Sequence, residues 1–313
     1  MVSLSAIQSS NSLISSTLPP KLVAVFEPKA YFVGRSQDAG SRIAAECNVL
    51  NPAGEYIFVP ADVSLIRVVD QVCKKIGEKE KAINILLLSA GVADIHRTET
   101  PEHLHLLVAL SYYSRLRFIL NFLPHLQNAT SLRRVVYVGG GGYEGPLHPN
   151  DFEARHVPFI QIRGHLATMI SLGLEAVAKT APDVSFVHDF PGAVNTALFT
   201  HVKGILGLAM RMYFSLLGRW ICVPINECGE RHLYLATSSR YPPVCGECPT
   251  VRLGNGVEVA EGTTGEVGSG VYSILWDCDS SSLAVKKLLA KYRDKGMVEE
   301  LWRHTESEFN RIT

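Results

Sequence analysis

The sequence predicts an α/β fold in which helices cover both faces of one doubly wound parallel sheet. Apolar runs of strand length alternate along the chain with longer stretches of helical periodicity. This alternation favours a parallel sheet, because each parallel connection must cross back over the sheet, usually as a helix. With 313 residues, 47% of them hydrophobic, the chain is long enough to bury one large core or two small ones.

Seven apolar runs are predicted to be strands. In chain order they span 22–26, 30–34, 56–59, 83–88, 134–138, 184–188 and 271–276. Apolar residues at helical spacing predict helices between them and after them. These helices are expected over 65–76, 102–123 and 158–179, with an amphipathic terminal pair within 283–309.

The first connection is too short for this architecture. Only residues 27–29 separate the first predicted strand from the second, whereas a parallel crossover needs about a dozen residues. The sequence therefore predicts a truncated first βαβ unit. The predicted organisation is a serine-rich leader (1–20), a main domain (21–280, with a lid region at about 199–265) and C-terminal amphipathic helices (281–313).

The composition favours some classes of binding partner and some cellular locations over others. Thirty basic residues balance thirty acidic ones, which argues against a nucleic-acid-binding protein and fits a small, apolar substrate. Seven cysteines without a recognisable secretory leader favour a reducing, cytoplasmic location. No apolar run of about 18 residues lacks charges, so no membrane-spanning segment is expected. The nearest candidate, 205–225, contains two arginines and is interpreted as a packed lid helix.

Four short motifs follow predicted strands, where the carboxyl edge of a parallel sheet forms. They are Val33-Gly34-Arg35-Ser36, Ala61-Asp62-Val63-Ser64, Leu88-Ser89-Ala90-Gly91, and Pro191-Gly192 with Thr196 four residues beyond. In this order the motifs resemble those of the short-chain dehydrogenase/reductase superfamily, and most closely its divergent fungal secondary-metabolism members. The resemblance covers roughly residues 22–276 and implies a Rossmann-like fold.

The resemblance also implies an NADP(H) site. Arg35 would pair with the adenosine 2′-phosphate and Asp62 would hydrogen-bond near the adenine. Ser89, Ala90 and Gly91 would lie under the cofactor. The family's nicotinamide-carboxamide turn corresponds to Pro191, Gly192 and Thr196. Relatives often form dimers through long helices equivalent to 102–123 and 158–179, so a homodimer is a further expectation.

The departures from the family pattern are equally specific. The glycine-rich turn that brings backbone N–H groups to the pyrophosphate is missing, because the first glycine of the chain is Gly34. Gly139 and Gly140 stand where the family has its active-site serine. The family's Tyr-x-x-x-Lys pair should begin near 161–163, but no tyrosine occurs there and no lysine follows until Lys179. The helix asparagine of the family is interpreted as replaced by Ser111.

These losses remove the family's general acid, whose contribution to rate is typically about 10²- to 10⁴-fold. Three residues are candidate substitutes. Tyr143 follows the glycine run, and Arg163 and His165 fall on the helix that should carry the missing pair. A histidine could donate a proton and an arginine could stabilise an oxyanion, although each residue also fits an ordinary structural role. His103 and His105 point apart on a helix, so no metal site is expected.

Three functions remain open on the sequence. The first is an NADP(H)-linked oxidoreductase of fungal small-molecule biosynthesis whose redox chemistry is impaired or absent. The second is a non-redox cyclase or isomerase on the same scaffold. The third is an inactive binding protein or the product of a mis-spliced gene, because one contiguous βαβ piece is missing between well-matched flanks.

Overall fold

The structure is a computed structural model. It describes residues 12–15 (as backbone), 28–92, 94, 96–194, 212, 218, 222–245, 253 and 256–313. Of the expected lid region, residues 199–211, 213–217, 219–221, 246–252 and 254–255 lie outside the described residues, and so does the candidate span 205–225 apart from Met212, Gly218 and residues 222–225.

Seven parallel strands form one sheet in the order β3-β2-β1-β4-β5-β6-β7. The order reverses between β1 and β4, as in a doubly wound Rossmann-like fold, so the predicted fold class is confirmed. The strands are β1 (Ser12–Ser15), β2 (Lys29–Gly34), β3 (Glu55–Pro60), β4 (Ile85–Leu88), β5 (Arg134–Val138), β6 (Ser185–Asp189) and β7 (Val271–Ile274).

The first strand corrects the sequence prediction. Ser12–Ser15, which we expected in a leader, pairs in parallel with both β2 and β4 at the centre of the sheet. The predicted strand 22–26 lies outside the described residues. Thirteen residues (16–28) now separate β1 from β2, enough for a parallel crossover, whereas three residues are not. The first βαβ unit is therefore short, but its strands run in the direction that the fold requires.

Helices cover the two faces of the sheet. They are α1 (Gln37–Leu50), α2 (Ile66–Gly77), α3 (Leu106–Gln127), α4 (Phe159–Ala178), α5 (Ile225–Thr237), α6 (Leu283–Asp294) and α7 (Met297–Ile312). One apolar core lies between the sheet and α1 and α5. A larger core joins the opposite face to α2, α3 and α4, with α6 and α7 packed outside them. The sequence did not predict α1 or α5.

Helix α3 is the one described helix long and apolar enough to be considered as a membrane span. Its most apolar stretch is 61% buried within the protein, and the buried Arg115 lies within it. A core helix of a globular domain has the same composition, and the contacts of α3 with α2 and the sheet account for its apolar surface.

The C-terminal helix α7 covers the long helices. Tyr112 of α3 hydrogen-bonds Thr305 at 2.9 Å, and the Tyr113 hydroxyl lies 2.7 Å from Nε2 of His304. On the α4 side, Lys179 pairs with Glu299 at 2.6 Å. The faces that we expected to form a homodimer are therefore occupied by the chain's own C-terminus.

Candidate active site

The candidate site lies along the carboxyl ends of the strands, where a doubly wound sheet binds its ligands. The switch point falls between β1 and β4. The motifs that follow β2, β3, β4 and β6 meet at this edge because all of these strands are parallel. The described residues divide into an adenosine side, a central turn and a substrate side.

The adenosine side keeps two of its expected residues at the surface. Arg35 follows β2 directly and is exposed, with no ion pair or hydrogen bond to the described residues. Ser36 caps α1 by accepting from the Ala39 N–H at 3.2 Å. Asp62 is exposed after β3, and its Oδ1 accepts from both the N–H and the hydroxyl of Ser64, at 3.0 and 2.7 Å. A free guanidinium beside a helix N-terminus has the donor chemistry that a 2′-phosphate requires.

The central turn, Ser89 to Gly91, is held by a buried arginine that sequence reasoning missed. The Arg115 guanidinium donates to the carbonyls of Leu88, Ala90 and Val138 at 2.5–3.1 Å. It also lies 4.8 Å from the centroid of the Tyr137 ring. Arg115 thus links the carboxyl ends of β4 and β5 and stabilises the central turn. A buried charged side chain within an apolar helix was the available sequence signal.

Ser111, interpreted as the replacement for the family's asparagine, takes part through its backbone. It lies in a π-helical turn of α3, Ala109–Tyr113, and its carbonyl accepts a hydrogen bond from the Tyr137 hydroxyl. A π turn displaces a carbonyl from the usual helical pattern, and such turns are frequent at functional sites.

A closed polar network lies beneath the glycine run after β5. The Gly140 N–H donates to Nε2 of the fully buried His188 at 3.0 Å, so the His188 proton resides on Nδ1, 3.0 Å from the Ser171 hydroxyl. Ser171 and Ser273 both donate to Oε1 of Glu144, at 2.7 and 2.5 Å. This network fixes the glycine loop.

The His188 imidazole in this network is uncharged. Burial, and to a smaller extent the nearby Arg115 cation, lowers the pKa of His188 to about 3. Burial raises the pKa of Glu144, although the two serine hydrogen bonds oppose the shift. None of these side chains reaches solvent, so we assign them a structural role under the loop.

Two candidate catalytic residues come together at the substrate side. The Arg163 guanidinium lies 3.8 Å from the centroid of the Tyr143 ring and 4.5 Å from that of Phe190. Tyr143 is 42% exposed and meets Phe190 edge to face at 4.8 Å. Arg163 is exposed and makes no hydrogen bond or ion pair with the described residues. Two rings therefore orient a guanidinium whose N–H groups remain available to an anion.

The third candidate, His165, lies elsewhere. Its ring is fully buried; Nδ1 accepts from the His148 N–H at 3.2 Å and Nε2 faces the Phe152 carbonyl at 3.3 Å. Burial lowers its pKa to about 4, so the ring is neutral near pH 7. The structure does not bring His165 together with Tyr143 and Arg163, and its contacts fix the loop before α4 instead.

The turn after β6 requires a glycine. Gly192 adopts φ +84°, and a Cβ at this position would lie 2.8 Å from Val223. Only glycine fits there without strain. Pro191 precedes it, and Thr196 lies outside the described residues.

A second polar group that the sequence did not reveal lies beside this turn. Asp189 ends β6, and its Oδ2 is 3.3 Å from Nε2 of His232 on α5, an ion-pair distance without hydrogen-bond alignment. His232 follows Cys228 by one helical turn, and the two side chains line a small cleft with Trp276. Among the described residues, no group of three potential ligands is arranged to hold a metal ion.

The cofactor's pyrophosphate does not fit this chain. In the family, glycines after the central strand let amide N–H groups approach the phosphates. Here the crossover that follows β1 spans 13 residues (16–28), contains no glycine, and includes Pro19, Pro20 and Pro28, which have no N–H to donate.

Known proteins show the same ancestry. The chain is 37% identical to an oxidoreductase of Emericella nidulans, covering 98% of both chains. It is 35% identical to the oxidoreductase andH of Emericella variicolor, over 92% of this chain and 86% of that one. A short-chain dehydrogenase/reductase of Stachybotrys chartarum is 27% identical over 88% and 82%. No family model matches the chain.

The alignment with the Emericella nidulans protein extends over 333 residues, 20 more than this chain contains. That relative therefore has residues with no counterpart here. Solved structures share the fold at low identity. A Mycobacterium paratuberculosis protein covers 96% of this chain and 94% of its own, with a TM-score of 0.57 and 13% identity. A Serratia marcescens short-chain dehydrogenase/reductase covers 74% and 91%, with a TM-score of 0.51 and 15% identity.

Proposed function

Because this chain belongs to the short-chain dehydrogenase/reductase superfamily, among fungal oxidoreductases, we propose that it derives from an NADP(H)-linked enzyme of small-molecule biosynthesis and has lost tight dinucleotide binding. Its own carbonyl reduction is then impaired or absent. Arg35, Asp62 and the turn at Ser89 are the remains of the adenosine and central parts of the site.

The glycine-free crossover after β1 carries this proposal. A dinucleotide gains much of its affinity where backbone N–H groups and a helix N-terminus meet the pyrophosphate. Hydrogen bonds to a charged group are worth about 1.5–3 kcal/mol each, so losing two or three of them lowers affinity by several orders of magnitude. Arg35 alone recognises a single phosphate on the distant adenosine ribose.

The substrate side supports the same conclusion. No tyrosine–lysine pair lies on α4, and the glycine run after β5 supplies no hydroxyl. His165 is buried, neutral and engaged with backbone groups, so it does not replace the missing acid. Tyr143 keeps a phenol near the site, but Arg163 contacts its ring and no base among the described residues is bonded to its hydroxyl.

Calorimetric titration with NADPH and NADP⁺ tests the proposal. We expect weak or undetectable binding, and a dissociation constant in the low micromolar range would overturn the proposal. A matched variant carries a glycine-rich turn and helix inserted directly after Ser15, where β1 ends. We expect this insertion to restore binding, and a further Arg35→Leu change in it to weaken NADPH more than NADH, because only NADPH carries the 2′-phosphate.

A second candidate function rests on the Tyr143–Arg163–Phe190 stack. A guanidinium oriented by two rings at the mouth of an apolar site could stabilise an enolate or carboxylate during a non-redox isomerisation or cyclisation. The test is exchange of α-protons in apolar enolisable ketones, followed by NMR in D₂O without nucleotide. We expect Arg163→Gln to abolish the exchange and Arg163→Lys to retain part of it; no exchange by the unaltered protein would exclude this function.

The extra length of the Emericella nidulans relative favours a further interpretation, loss of one coding segment. Sequencing the transcripts that encode this chain tests it. If the segment was lost by mis-splicing, a second transcript should encode about 20 additional residues between Ser15 and Lys29, including the glycine-rich turn. A single transcript identical to the present sequence would mean that the loss is fixed in the gene.

A further inference from the structure

A small cleft next to the candidate site contains a thiol that the proposed function does not use. It lies between the carboxyl end of β6 and helix α5. The apolar part of its lining comes from Phe190, Leu235, Leu275 and Trp276. Its polar part includes Cys228, His232 and Asp189, of which Cys228 is partly accessible and the other two are buried.

These three side chains form a connected series. The Cys228 Sγ lies 3.5 Å from Nδ1 of His232, and the opposite ring nitrogen lies 3.3 Å from Asp189 Oδ2. The Nδ1–H also donates to the Cys228 carbonyl at 2.7 Å, which fixes the ring beside the sulfur. Asp189 is 1% exposed, and its Oδ1 has no hydrogen-bond partner among the described residues. A buried carboxylate with an unsatisfied oxygen strongly favours a cation next to it.

We propose that Cys228 is a nucleophilic thiol activated by His232 and Asp189, and that it reacts with small, neutral, apolar electrophiles such as conjugated enones. The imidazolium between carboxylate and sulfur stabilises the thiolate, which is the reactive form of cysteine. The cleft is small, which favours a small reagent, and the apolar side chains in its lining favour a neutral one.

The charge distribution around the cleft agrees with this assignment. Burial alone would lower the pKa of His232, but the Asp189 carboxylate and the Cys228 sulfur together outweigh burial and raise the pKa well above its ordinary value. Arg231, whose guanidinium lies 4.8 Å from the Trp276 ring centroid, is paired with Glu227. Cys278 lines the same cleft, but burial raises its pKa to about 12, so it remains a neutral thiol beside Asp277 and Asp279.

The addition balances without a further reactant. The Cys228 sulfur forms a bond to the β-carbon of the enone, and the carbon–carbon π bond breaks. Its electron pair moves onto the carbonyl oxygen as an enolate. The proton that left the thiol and resided on His232 is then delivered to the α-carbon, directly or through water. The net change is addition of S–H across the double bond, with no oxidant, reductant or cofactor.

The experiment uses N-ethylmaleimide, a neutral conjugate acceptor, on the full chain kept reduced. Cys222 is the internal reference: it is also half-buried, it has no imidazole partner among the described residues, and it falls in the same tryptic peptide (220–231) as Cys228. Fragment ions then quantify both thiols at equal recovery. At pH 6 we expect Cys228 to react at least tenfold faster than Cys222. The ratio should fall towards pH 8.5, where an ordinary thiol also ionises.

Two variants test the role of the histidine. His232→Gln should slow Cys228 at least tenfold at pH 6 while leaving Cys222 unchanged, and Asp189→Asn should slow it in the same direction. If either variant unfolds, the pH profile of the unaltered protein decides alone. Equal rates for both thiols at pH 6, or rates that rise in parallel by tenfold per pH unit, would overturn the proposal. So would an unchanged Cys228 rate in folded His232→Gln.

Discussion

Arg115 shows how one side chain can hold the centre of this site in place. Its guanidinium is buried without a carboxylate partner and is satisfied by three backbone carbonyls. Burial lowers its pKa, although Tyr137 and Asp189 oppose the shift. The cation therefore exchanges hydration for carbonyl dipoles at the ends of two neighbouring strands, and it couples the conformation of the central turn to α3.

The first prediction concerns this residue. Arg115→Leu should destabilise the protein by about 3 kcal/mol, because three carbonyls lose a charged donor. Urea denaturation measures the change. Arg35→Leu is the control, since Arg35 is exposed and unpaired among the described residues, and we expect a change within about 0.5 kcal/mol. A similar, small effect of both substitutions would contradict the structural role of Arg115.

The second prediction concerns two buried histidines and the pH dependence of the free energy of unfolding. His165 and His188 are neutral in the folded protein, with pKa values lowered by burial to about 4 and about 3, whereas an unfolded histidine titrates near 6.5. Below 6.5 the unfolded state binds more protons than the folded state. Each of the two residues therefore lowers the free energy of unfolding by about 1.4 kcal/mol per pH unit as the pH falls from 6.5 towards these values.

Urea unfolding between pH 6.5 and 5.0, above the range of ordinary carboxylates, measures this slope. His165→Gln should reduce the mean slope over this window by about 1 kcal/mol per pH unit, because glutamine does not titrate. His232 does not interfere, since its raised pKa keeps it protonated in the folded state throughout this window. An identical slope in the variant would show that His165 takes up a proton without unfolding.

At the level of elements, the start of α2 depends on a distant loop. Its N-cap residue, Leu65, makes no side-chain hydrogen bond. Instead the Glu102 carboxylate accepts from the N–H groups of Ile66 and Arg67 at 2.6 and 3.1 Å. A carboxylate at this position satisfies free amides and complements the helix dipole.

We therefore expect Glu102→Ala to destabilise the protein by about 1–2 kcal/mol, as loss of a helix cap typically does. Hydrogen exchange should accelerate first in the opening turn of α2. Glu46→Ala, which breaks only an exposed pair with Arg42 at 3.8 Å, is the control and should change stability by less than about 0.5 kcal/mol. Unaltered exchange at Ile66 in the Glu102 variant would contradict the capping role.

Sequence patterns predicted most elements, but they failed where tertiary contacts decide. The strands from β2 to β7 and the helices α2, α3 and α4 have periodicities strong enough to be recognised. Helix α1 has no such periodicity, because only Gly40 and Cys47 are buried in it. Ser12–Ser15 has the composition of a leader, and the short first connection led us to expect a truncated unit rather than a strand further upstream.

The site was harder to predict for the same reason. Motif order placed Arg35, Asp62 and the central turn at the sheet edge. The contact between Tyr143 and Arg163 was anticipated only as proximity to one site, and His165 faces a different environment from both. Three polar residues occur singly in apolar surroundings, namely Arg115, His188 and His232. For most of their contacts the partner lies 23 to 48 residues away along the chain. Spacing along the chain could not reveal them.

At the scale of the whole molecule, helix α7 of the same chain packs on the long helices α3 and α4, where a dimer would place a second subunit. The apolar side of α7, which includes Val298, Leu301 and Phe309, packs against α3 and α4. Arg117 of α3 contributes by lying 5.2 Å from the Phe309 ring centroid. A second subunit could reach these helices only by displacing α7, which would expose its apolar face to water.

The last prediction is therefore that the protein is a monomer. Light scattering coupled to size-exclusion chromatography should give a mass near 34.3 kDa. Removing residues 297–312 should expose the shared apolar surface and produce dimers or aggregates, because patches of several hundred Å² rarely remain uncovered. Ser282→Ala, which removes only the cap of α6, is the control and should leave the mass unchanged. A dimer of the intact chain that resists dilution would mean that subunits associate through another surface, because α7 leaves no room for pairing across α3 and α4.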